Sequence, residues 1–341
     1  MRPIDLPITG ALPMQHKYLK LTGLALALGF TAATTSAAEL TPVTVTTTWY
    51  AQAEHGGIYA AKAAGIYEQH GLDVTIKMGG PQVNNVQLLM AGKTDFSMGY
   101  ALQSFNAVKQ EIPMLTVAAW FQKDPQTLIV HEGAGVDTLA DLEGKGIRMP
   151  TAGRVAYWPW MKAEFGFSDD QLRPYDYSLG PFIADPEAVQ QGYITNDGYF
   201  LDKAGIKGKS LLLADYGWGA YSCTLDVTQK MVDENPEVVQ AMVTATAEGW
   251  AAYFKDPAAA NALIKQDNPE MQDDLLAYSI AKLQEDNILL AGDAEGGKYG
   301  NMTEAHWQSF FTDMVKAETV PADLDWQKAF DLRFVRTLYS E

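Results

Sequence analysis

Cysteine is almost absent from this sequence, which contains one, Cys223. A single thiol cannot form an internal disulfide, so the fold must be stabilised by packing alone. It also cannot supply the several soft ligands that a thiolate site for iron or zinc requires. The simplest interpretation of Cys223 is a small, buried apolar side chain.

Basic residues are scarce as well. The chain has 25 Lys and Arg against 42 Asp and Glu, which gives a formal net charge of −17 at pH 7. Such an acidic chain is a poor candidate for binding nucleic acid or an anionic membrane surface. We therefore expect neither nucleic-acid binding nor direct membrane insertion.

Motifs for catalysis and metal binding are missing too. Beyond the N-terminal region the histidines are His55, His70, His131 and His306, and none stands in an H-x-x-x-H or H-E-x-x-H spacing. That pattern predicts no zinc site. There is also no G-x-S-x-G turn and no phosphate loop with its lysine. We expect no metal, no cofactor and no catalytic residue, and predict that the protein is not an enzyme.

The one long apolar run lies near the N-terminus. The run "LTGLALALGFTAA" follows basic residues, is too short to span a bilayer, and is followed by the small residues "TSAA". We predict that residues 1–38 are a signal peptide cleaved near Ala38, with either Met1 or Met14 as the start. The single cysteine is Cys223, far from the run, so a lipoprotein anchor is not expected. Cleavage removes a net +2 and takes the charge from −17 to −19; the product is expected in the periplasm.

Beyond residue 38 the sequence alternates between strand and helix patterns. "VTVTTTWY" is β-branched and alternating, "GIYAAKAAGIYEQH" is helical, and "LDVTIK" is the next strand. Helix "VNNVQLLMAGK", strand "DFSMGY", helix "LQSFNAVKQ" and strand "MLTVAAW" follow. A second series has strands at "GIRMP", "RPYDYS", "GYITN" and "SLLLADYG" and helices at "AYWPWMKAEFG", "ADPEAVQQ" and "GYFLDKAG". This succession predicts mostly parallel sheets covered by helices on both faces.

Roughly 300 residues exceed the usual size of one core, which favours two lobes. The segments "TLIVHE" and "YSCTLDV" are the predicted crossovers between them. We therefore predict one lobe from residues 39–126 with 222–341 and a second from residues 127–221. The last part is mostly helical, because "NPEVVQAMVTATAEGWAAYFK" and "DPAAANALIKQ" each open with a capping residue and a proline.

Aromatic residues recur at the predicted strand ends and helix starts. In open sheets of this kind, ligands bind beyond the carboxyl ends of the strands. The aromatic candidates for ligand contact are Trp49, Tyr50, Tyr100, Trp120, Tyr157, Tyr193 and Tyr221. Aromatic faces of this sort favour a flat heteroaromatic ring as the ligand, held between the lobes and oriented by a few polar groups.

Five further residues are candidates for contacting such a ligand. His55 in "EHGGIY" would be a donor or acceptor on the pocket rim, and Gly56 would let the backbone approach the ligand closely. Asn196 and Asp197 follow the predicted strand "GYITN", where a carboxylate suits a ring with N–H donors. Arg154 in "TAGR" fits either a surface ion pair or an anion site at a helix start. The alternative ligand is therefore an organic anion such as a sulfonate, nitrate or an aromatic carboxylate.

Three stretches together, "IYAAKAAGIYEQHGLDV", "LLMAGKTDFSMGYA" and "TLADLEGKGI", resemble the SsuA/THI5-like family of ABC-importer substrate-binding proteins, which bind thiamine pyrimidines, sulfonates or nitrate. The resemblance covers the chain beyond the signal peptide. It implies an α/β, type II periplasmic-binding-protein fold, two lobes that close on a small molecule, and a monomer that delivers its ligand to an ABC permease and its ATPase. The ligand it implies is a thiamine pyrimidine precursor or a related N-heterocycle such as riboflavin.

One branch of this family consists of enzymes that make the thiamine pyrimidine from pyridoxal phosphate and a histidine of their own chain. His55 lies in a setting similar to that of the consumed histidine, and Lys62 lies at or near the position of the pyridoxal lysine. The iron-binding, cysteine-rich segment of those enzymes corresponds to "AYSCT", where Cys223 alone remains. A pyrimidine precursor synthase using His55 is thus an alternative of another class, but its metal ligands are missing.

Overall fold

The computed structural model describes residues 39–175 and 177–340, which belong to one compact unit. The predicted signal peptide, residues 1–38, lies outside the described residues. The strands are β1 (Thr41–Thr46), β2 (Leu72–Lys77), β3 (Phe96–Tyr100), β4 (Met114–Phe121), β5 (Gln126–His131), β6 (Ile147–Arg148), β7 (Leu172–Arg173), β8 (Val189–Tyr193), β9 (Gly208–Leu212) and β10 (Ser222–Thr228).

Helices surround these strands and make up most of the C-terminal third. They are α1 (Gly56–Ala63), α2 (Ile66–Gln69), α3 (Asn85–Met90), α4 (Ala101–Lys109), α5 (Thr151–Ala156), α6 (Trp158–Phe165), α7 (Gly180–Ala184), α8 (Asp197–Lys203), α9 (Gln229–Glu234), α10 (Pro236–Lys255), α11 (Ala258–Asp267), α12 (Asp273–Glu285), α13 (Glu304–Lys316) and α14 (Arg333–Tyr339). Within the described ranges, none of them is both long and apolar enough to cross a membrane.

The strands form two five-stranded sheets with the same plan. The order is β2-β1-β3-β10-β4 in the first sheet and β7-β6-β8-β5-β9 in the second. In each, the fourth strand in the order pairs antiparallel with both neighbours, and the recorded pairs among the first three strands are parallel. The predicted α/β fold of two lobes with mostly parallel sheets is confirmed, and β3 corresponds to β8.

Strand β4 shows how the C-terminal part completes the first lobe. All eight of its residues are buried although it lies at the edge of its sheet. Its free edge is covered by later chain: Asp331 N–H donates to Thr116 O at 2.9 Å and Ala119 N–H donates to Gly300 O at 3.0 Å. Covering an edge in this way satisfies backbone groups that would otherwise pair with another chain.

Helices α1 and α10 cross at a point built from glycines. A Cβ on Gly249 would lie 2.2 Å from Gly57 O, and one on Gly57 would lie 2.4 Å from the Trp250 ring. A Cβ on Gly56 would likewise lie 2.1 Å from the Tyr253 ring. The start of α1 is therefore held against α10, and this contact fixes the turn that precedes α1.

Two chain segments connect the sheets, and they are bonded to each other. The first is residues 122–125 between β4 and β5, and the second is residues 213–221 between β9 and β10. Trp218 Nε1 donates to Asp124 Oδ2 at 2.9 Å, and Lys123 Nζ lies 2.9 Å from Asp215 Oδ1. The Trp218 ring also packs on Trp160 of α6.

Several predicted elements differ in the structure. The stretch "ADPEAVQQ" is not a helix, because residues 189–191 belong to β8 and a short helix, α7, precedes them. "RPYDYS" contributes Arg173 to a two-residue strand, and Asp176 is not described. The first strand ends at Thr46, so Trp49 and Tyr50 lie in the bend that follows it.

Candidate functional site

Tyr100 and Tyr193 are the last residues of the corresponding strands β3 and β8, one in each lobe. Both side chains are partly buried. Burial raises the pKa of Tyr193, and the nearby Cys223 and Tyr100 raise it further. Burial likewise raises the pKa of Tyr100. Each tyrosine therefore keeps its proton, and the two strand ends lie close enough for Tyr100 to act on Tyr193.

An aromatic contact joins the two lobes. The Trp49 ring, in the bend after β1, lies 5.8 Å from the Tyr177 ring of the second lobe at an angle of 46°. Trp49 also packs edge-on against Tyr50, and Tyr175 packs against Tyr177. Tyr50 is 43% exposed and Tyr177 is 53% exposed. We call Trp49, Tyr50, Tyr175 and Tyr177 the aromatic rim.

Tyr157 lies behind the rim at the junction of α5 and α6. It is buried, and its hydroxyl donates to Gln126 Oε1 at 3.3 Å. Burial raises the pKa of Tyr157, and the charges of Asp124 and Tyr177 act in the same direction. Tyr157 therefore presents a neutral phenol between Gln126, at the start of β5, and the aromatic rim.

His55 occupies the turn Ala53–His55 that leads into α1 and is completely buried. Its Nε2 lies 3.0 Å from Thr48 Oγ1, and its Nδ1 has no partner among the described residues. Burial lowers the pKa of His55 to about 3, so the ring is neutral. A neutral imidazole with one open nitrogen can donate or accept one hydrogen bond.

Glu54, which the sequence interpretation missed, shares this turn. It is 1% exposed, and Oε1 accepts a hydrogen bond from Thr195 Oγ1 of the second lobe. Oε2 has no partner in the described part of the chain. Burial raises the pKa of Glu54 to about 6, against the lowering effect of Thr195. The only signal in the sequence was its position next to His55.

The charges that act on Tyr100 and Tyr193 are negative. Glu54 and Asp124 both raise the pKa of Tyr100, Tyr193 and Cys223. Burial raises the pKa of Asp124 itself to about 6, with opposing hydrogen bonds from Trp218 and Gln126. Two buried carboxylates favour a neutral or N–H-bearing guest over a permanent anion.

Three predicted site residues make other contacts. Gly56 packs on Tyr253, so the close approach it permits is to α10. Trp120 is fully buried, and its ring fills the space that a Cβ on Gly300 would need. Tyr221 donates its hydroxyl proton to Asp293 and stacks on His306 with ring centroids 3.9 Å apart. These contacts lie within the first lobe and its crossover.

The polar candidates of the second lobe are also engaged. Arg154 donates from Nε to Met149 O at 3.0 Å and from Nη2 to Arg173 O at 2.9 Å. Asp197 accepts from Tyr193 N–H and from Thr127 Oγ1, and burial raises its pKa to about 7. Asn196 precedes α8, but its side chain does not cap the helix.

Cys223 is buried, as expected of a small apolar side chain, but its backbone is unusual. Its φ is 47°, and the register of β10 against β3 shifts between Ser222 and Thr224. This is a β-bulge, a device that re-aims side chains beside functional sites. Burial raises the pKa of the Cys223 thiol, so it is not a reactive thiolate.

The arrangement as a whole suits binding. It combines aromatic rings from both lobes with neutral phenols, one neutral imidazole and a buried carboxylate. In the described residues no group of three or more His, Cys, Asp or Glu is placed to hold a metal ion.

The chain resembles several known proteins in sequence and in fold. The family model described as NMT1/THI5 like matches residues 52–260. The chain is 25% identical to the riboflavin-binding protein RibY of Chloroflexus aurantiacus over 87% of this chain and 86% of that protein. It is 26% identical to a formylaminopyrimidine-binding protein of Halalkalibacterium halodurans, over 82% and 91% of the two chains.

An enzyme is also among the relatives. The 4-amino-5-hydroxymethyl-2-methylpyrimidine phosphate synthase of Legionella pneumophila is 21% identical over 67% of this chain and 75% of that protein. Among solved structures, a sulfonate ABC transporter's periplasmic binding protein SsuA from Methylobacillus flagellatus superposes with a TM-score of 0.62 at 16% identity, covering 89% of this chain and 94% of that one. The fold is thus that of the periplasmic binding proteins, and the chain belongs to the NMT1/THI5-like family.

Proposed function

We propose that the protein captures a planar N-heterocycle, either a thiamine pyrimidine precursor or a related ring such as riboflavin, between its two lobes. The observation that carries the proposal is the contact of Trp49 with Tyr177 across the lobes. Rings that meet from opposite lobes can close on both faces of a flat guest. In this proposal Trp49, Tyr50, Tyr100, Tyr157, Tyr177 and Tyr193 form the walls, and His55 contacts an edge of the guest.

The electrostatics support an N-heterocycle over an organic anion. A sulfonate or nitrate needs cationic or N–H donors to replace its water. The guanidinium of Arg154 already donates to two carbonyl groups, and the charges nearest the tyrosines are those of Glu54 and Asp124. The two relatives named for riboflavin and formylaminopyrimidine binding support the same ligand class.

The proposed role is transport without chemical change. Capture would be followed by closure about the two crossovers, and the closed form would be recognised by an ABC permease coupled to its ATPase. We further propose export to the periplasm by the signal peptide at residues 1–38, and action as a monomer. Delivery of this kind needs no cofactor.

Thermal shift tests the ligand class. Hydroxymethyl- and formylamino-pyrimidines and riboflavin should raise the melting temperature, whereas taurine, alkanesulfonates and nitrate should not. A ligand at 100 times its Kd stabilises the folded state by about 2.7 kcal/mol, which is a shift of several degrees. Trp49→Ala should abolish the shift, and Phe200→Ala, an exposed ring of α8, is the matched control. Shifts with the anions and none with the heterocycles would overturn the proposal.

The synthase relative favours a second candidate, the use of His55 as a reactant. Two contacts speak against it: Nε2 of His55 is held by Thr48, and Lys62 pairs with Asp73 at 3.4 Å on the outer face of α1. Mass spectrometry of the protein after incubation with pyridoxal phosphate and iron tests it. An unchanged His55 removes the synthase, and a fragment lost from His55 establishes it.

A further inference from the structure

Two polar atoms on consecutive residues, Glu54 Oε2 and His55 Nδ1, are buried without partners in the described part of the chain. A buried acceptor left without a hydrogen bond costs about 1–3 kcal/mol, and more for a charged group. Such atoms are rare in folded proteins, and two in one turn indicate a missing polar partner. Both residues lie in the turn that the α1–α10 contact holds in place.

Glu54 also sits where the lobes touch. Its Oε1 accepts from Thr195 Oγ1, and Thr195 O in turn accepts from Ser279 Oγ of α12 at 2.8 Å. One carboxylate oxygen therefore bonds the opposite lobe while the other remains open. Glu54 can therefore bond the second lobe through Oε1 and accept a hydrogen bond from a ligand through Oε2.

We propose that Glu54 determines ligand specificity by accepting a hydrogen bond from an N–H group of the ring or its exocyclic amine through Oε2. This inference rests on the proposed function, because it names which heterocycles the same site takes: those with an N–H donor on the edge that faces Glu54. A carboxylate acceptor pairs with such a donor more strongly than a neutral acceptor does. A ring bearing a methyl group at that position would leave Oε2 unpaired.

The raised pKa of Glu54 supports this assignment. Burial raises it to about 6, so the carboxylate predominates above that pH and its protonated form below. Asp267 and Asn261 are bonded to Tyr59 and Tyr253. The charge of Glu54 acts on Tyr100, Tyr193, Cys223 and Tyr253. None of these groups is a cation, and no described group donates to Oε2, so we assign that donor to the ligand.

Two matched ligand pairs test the proposal by calorimetry at pH 7.5. The first is 4-amino-5-hydroxymethyl-2-methylpyrimidine against its 4-methyl analogue, and the second is riboflavin against 3-methylriboflavin. In at least one pair the member with the N–H should bind about 10- to 100-fold more tightly. That preference should shrink as the pH falls below about 6.

Two variants separate recognition from closure. Glu54→Met should lose the preference for the N–H member, and because it also removes the bond from Thr195 it should weaken the methylated member by the same factor as Thr195→Val does. Thr195→Val removes the bond between lobes and keeps Oε2, so it should weaken both members of a pair by the same factor. Glu54→Gln is a second variant should the methionine variant fail to fold.

The failures are distinguishable. If none of the four heterocycles binds the wild-type protein, the proposed function is wrong. If they bind with equal affinity within each pair, or if Glu54→Met and Glu54→Gln weaken both members equally, the heterocycle site stands and the role of Glu54 is wrong.

Discussion

The indole N–H of Trp218 donates a 2.9 Å hydrogen bond to the carboxylate of Asp124, and this bond joins the two segments that connect the lobes. Both side chains are buried. Trp218 also contacts Trp160 of one lobe and Phe310 of the other, so it packs against both lobes where the two connecting segments meet.

Loss of this bond should destabilise the folded protein. Trp218→Phe leaves the Asp124 carboxylate buried with one donor fewer, which we expect to cost about 1 to 3 kcal/mol. Asp124→Ala and the double variant complete a cycle measured by urea unfolding. We expect a coupling energy of at least about 1 kcal/mol. Additive effects of the two substitutions would show that the bond does not stabilise the junction of the two connecting segments.

Stability should rise as the pH falls from about 8 to 5. Burial raises the pKa of Asp226 to about 7, and the pKa values of Glu54, Asp124 and Asp197 are raised in the same way. A folded-state pKa above the unfolded value means that the folded form binds the proton more tightly. The stabilising effect is therefore complete below the unfolded pKa of about 4 and disappears as the pH rises through the folded pKa.

Asp226→Asn isolates one of these groups. It should remove on the order of 2 to 4 kcal/mol of the difference in unfolding free energy between pH 5 and pH 8. Asp323→Asn, at an exposed position, is the matched control and should leave the profile unchanged. Melting temperatures across this range provide the measurement, and a flat profile for the wild-type protein would contradict the assignment.

Much of the fold was predictable because the periodicity of apolar residues and the residues that start or stop helices are local signals. "LDVTIK" is strand β2 with buried and exposed residues alternating at its start, and the Asn-Pro before residue 237 marks the start of α10. The predicted helix "ADPEAVQQ" failed for the opposite reason. Residues 189–191 have no strong strand character, and the pairing of β8 with β5 and β6 decides their conformation.

The candidate site was only partly predictable. Tyr100 and Tyr193 could be proposed because strand ends can be read from the sequence, whereas Tyr177 lies in a loop with a φ of 65°, which no sequence pattern indicates. Sequence order also gives no sign that Tyr221 bonds Asp293, 72 residues away, or that Glu54 bonds Thr195. Such partners depend on tertiary packing alone.

Glycine substitutions should separate helix packing from ligand contact at α1. Gly249→Ala would place a Cβ 2.2 Å from Gly57 O, and backbone cannot yield as a flexible side chain can. We expect a loss of about 1 to 3 kcal/mol or more, measured by thermal unfolding. In Gly180→Ala the new Cβ meets nothing nearer than Ser178 Oγ at 3.4 Å, so that control should remain near wild-type stability. Equal stability of the two variants would contradict the packing role of the crossing.

Tyr221 and Tyr193 should respond differently to the same substitution, phenylalanine, which removes only a hydroxyl group. The Tyr221 hydroxyl donates to Asp293 and accepts from Thr303 N–H at 3.1 Å, and Asp293 also accepts from His306 Nδ1 at 3.0 Å. Tyr221→Phe should therefore lower the free energy of unfolding by about 1 to 2 kcal/mol and leave ligand affinity unchanged.

Tyr193→Phe should do the reverse. Tyr193 ends β8, is partly buried, and is a proposed wall of the ligand site, so loss of its hydroxyl should weaken ligand binding with little effect on the unfolding of the free protein. Calorimetry with a heterocycle, together with thermal unfolding of both variants, provides the comparison. Because both substitutions remove the same hydroxyl group, a difference between the two variants must come from the position of the residue. If Tyr221→Phe weakened ligand binding and left stability unchanged, Tyr221 would contact the ligand. Its proposed structural role would then be wrong.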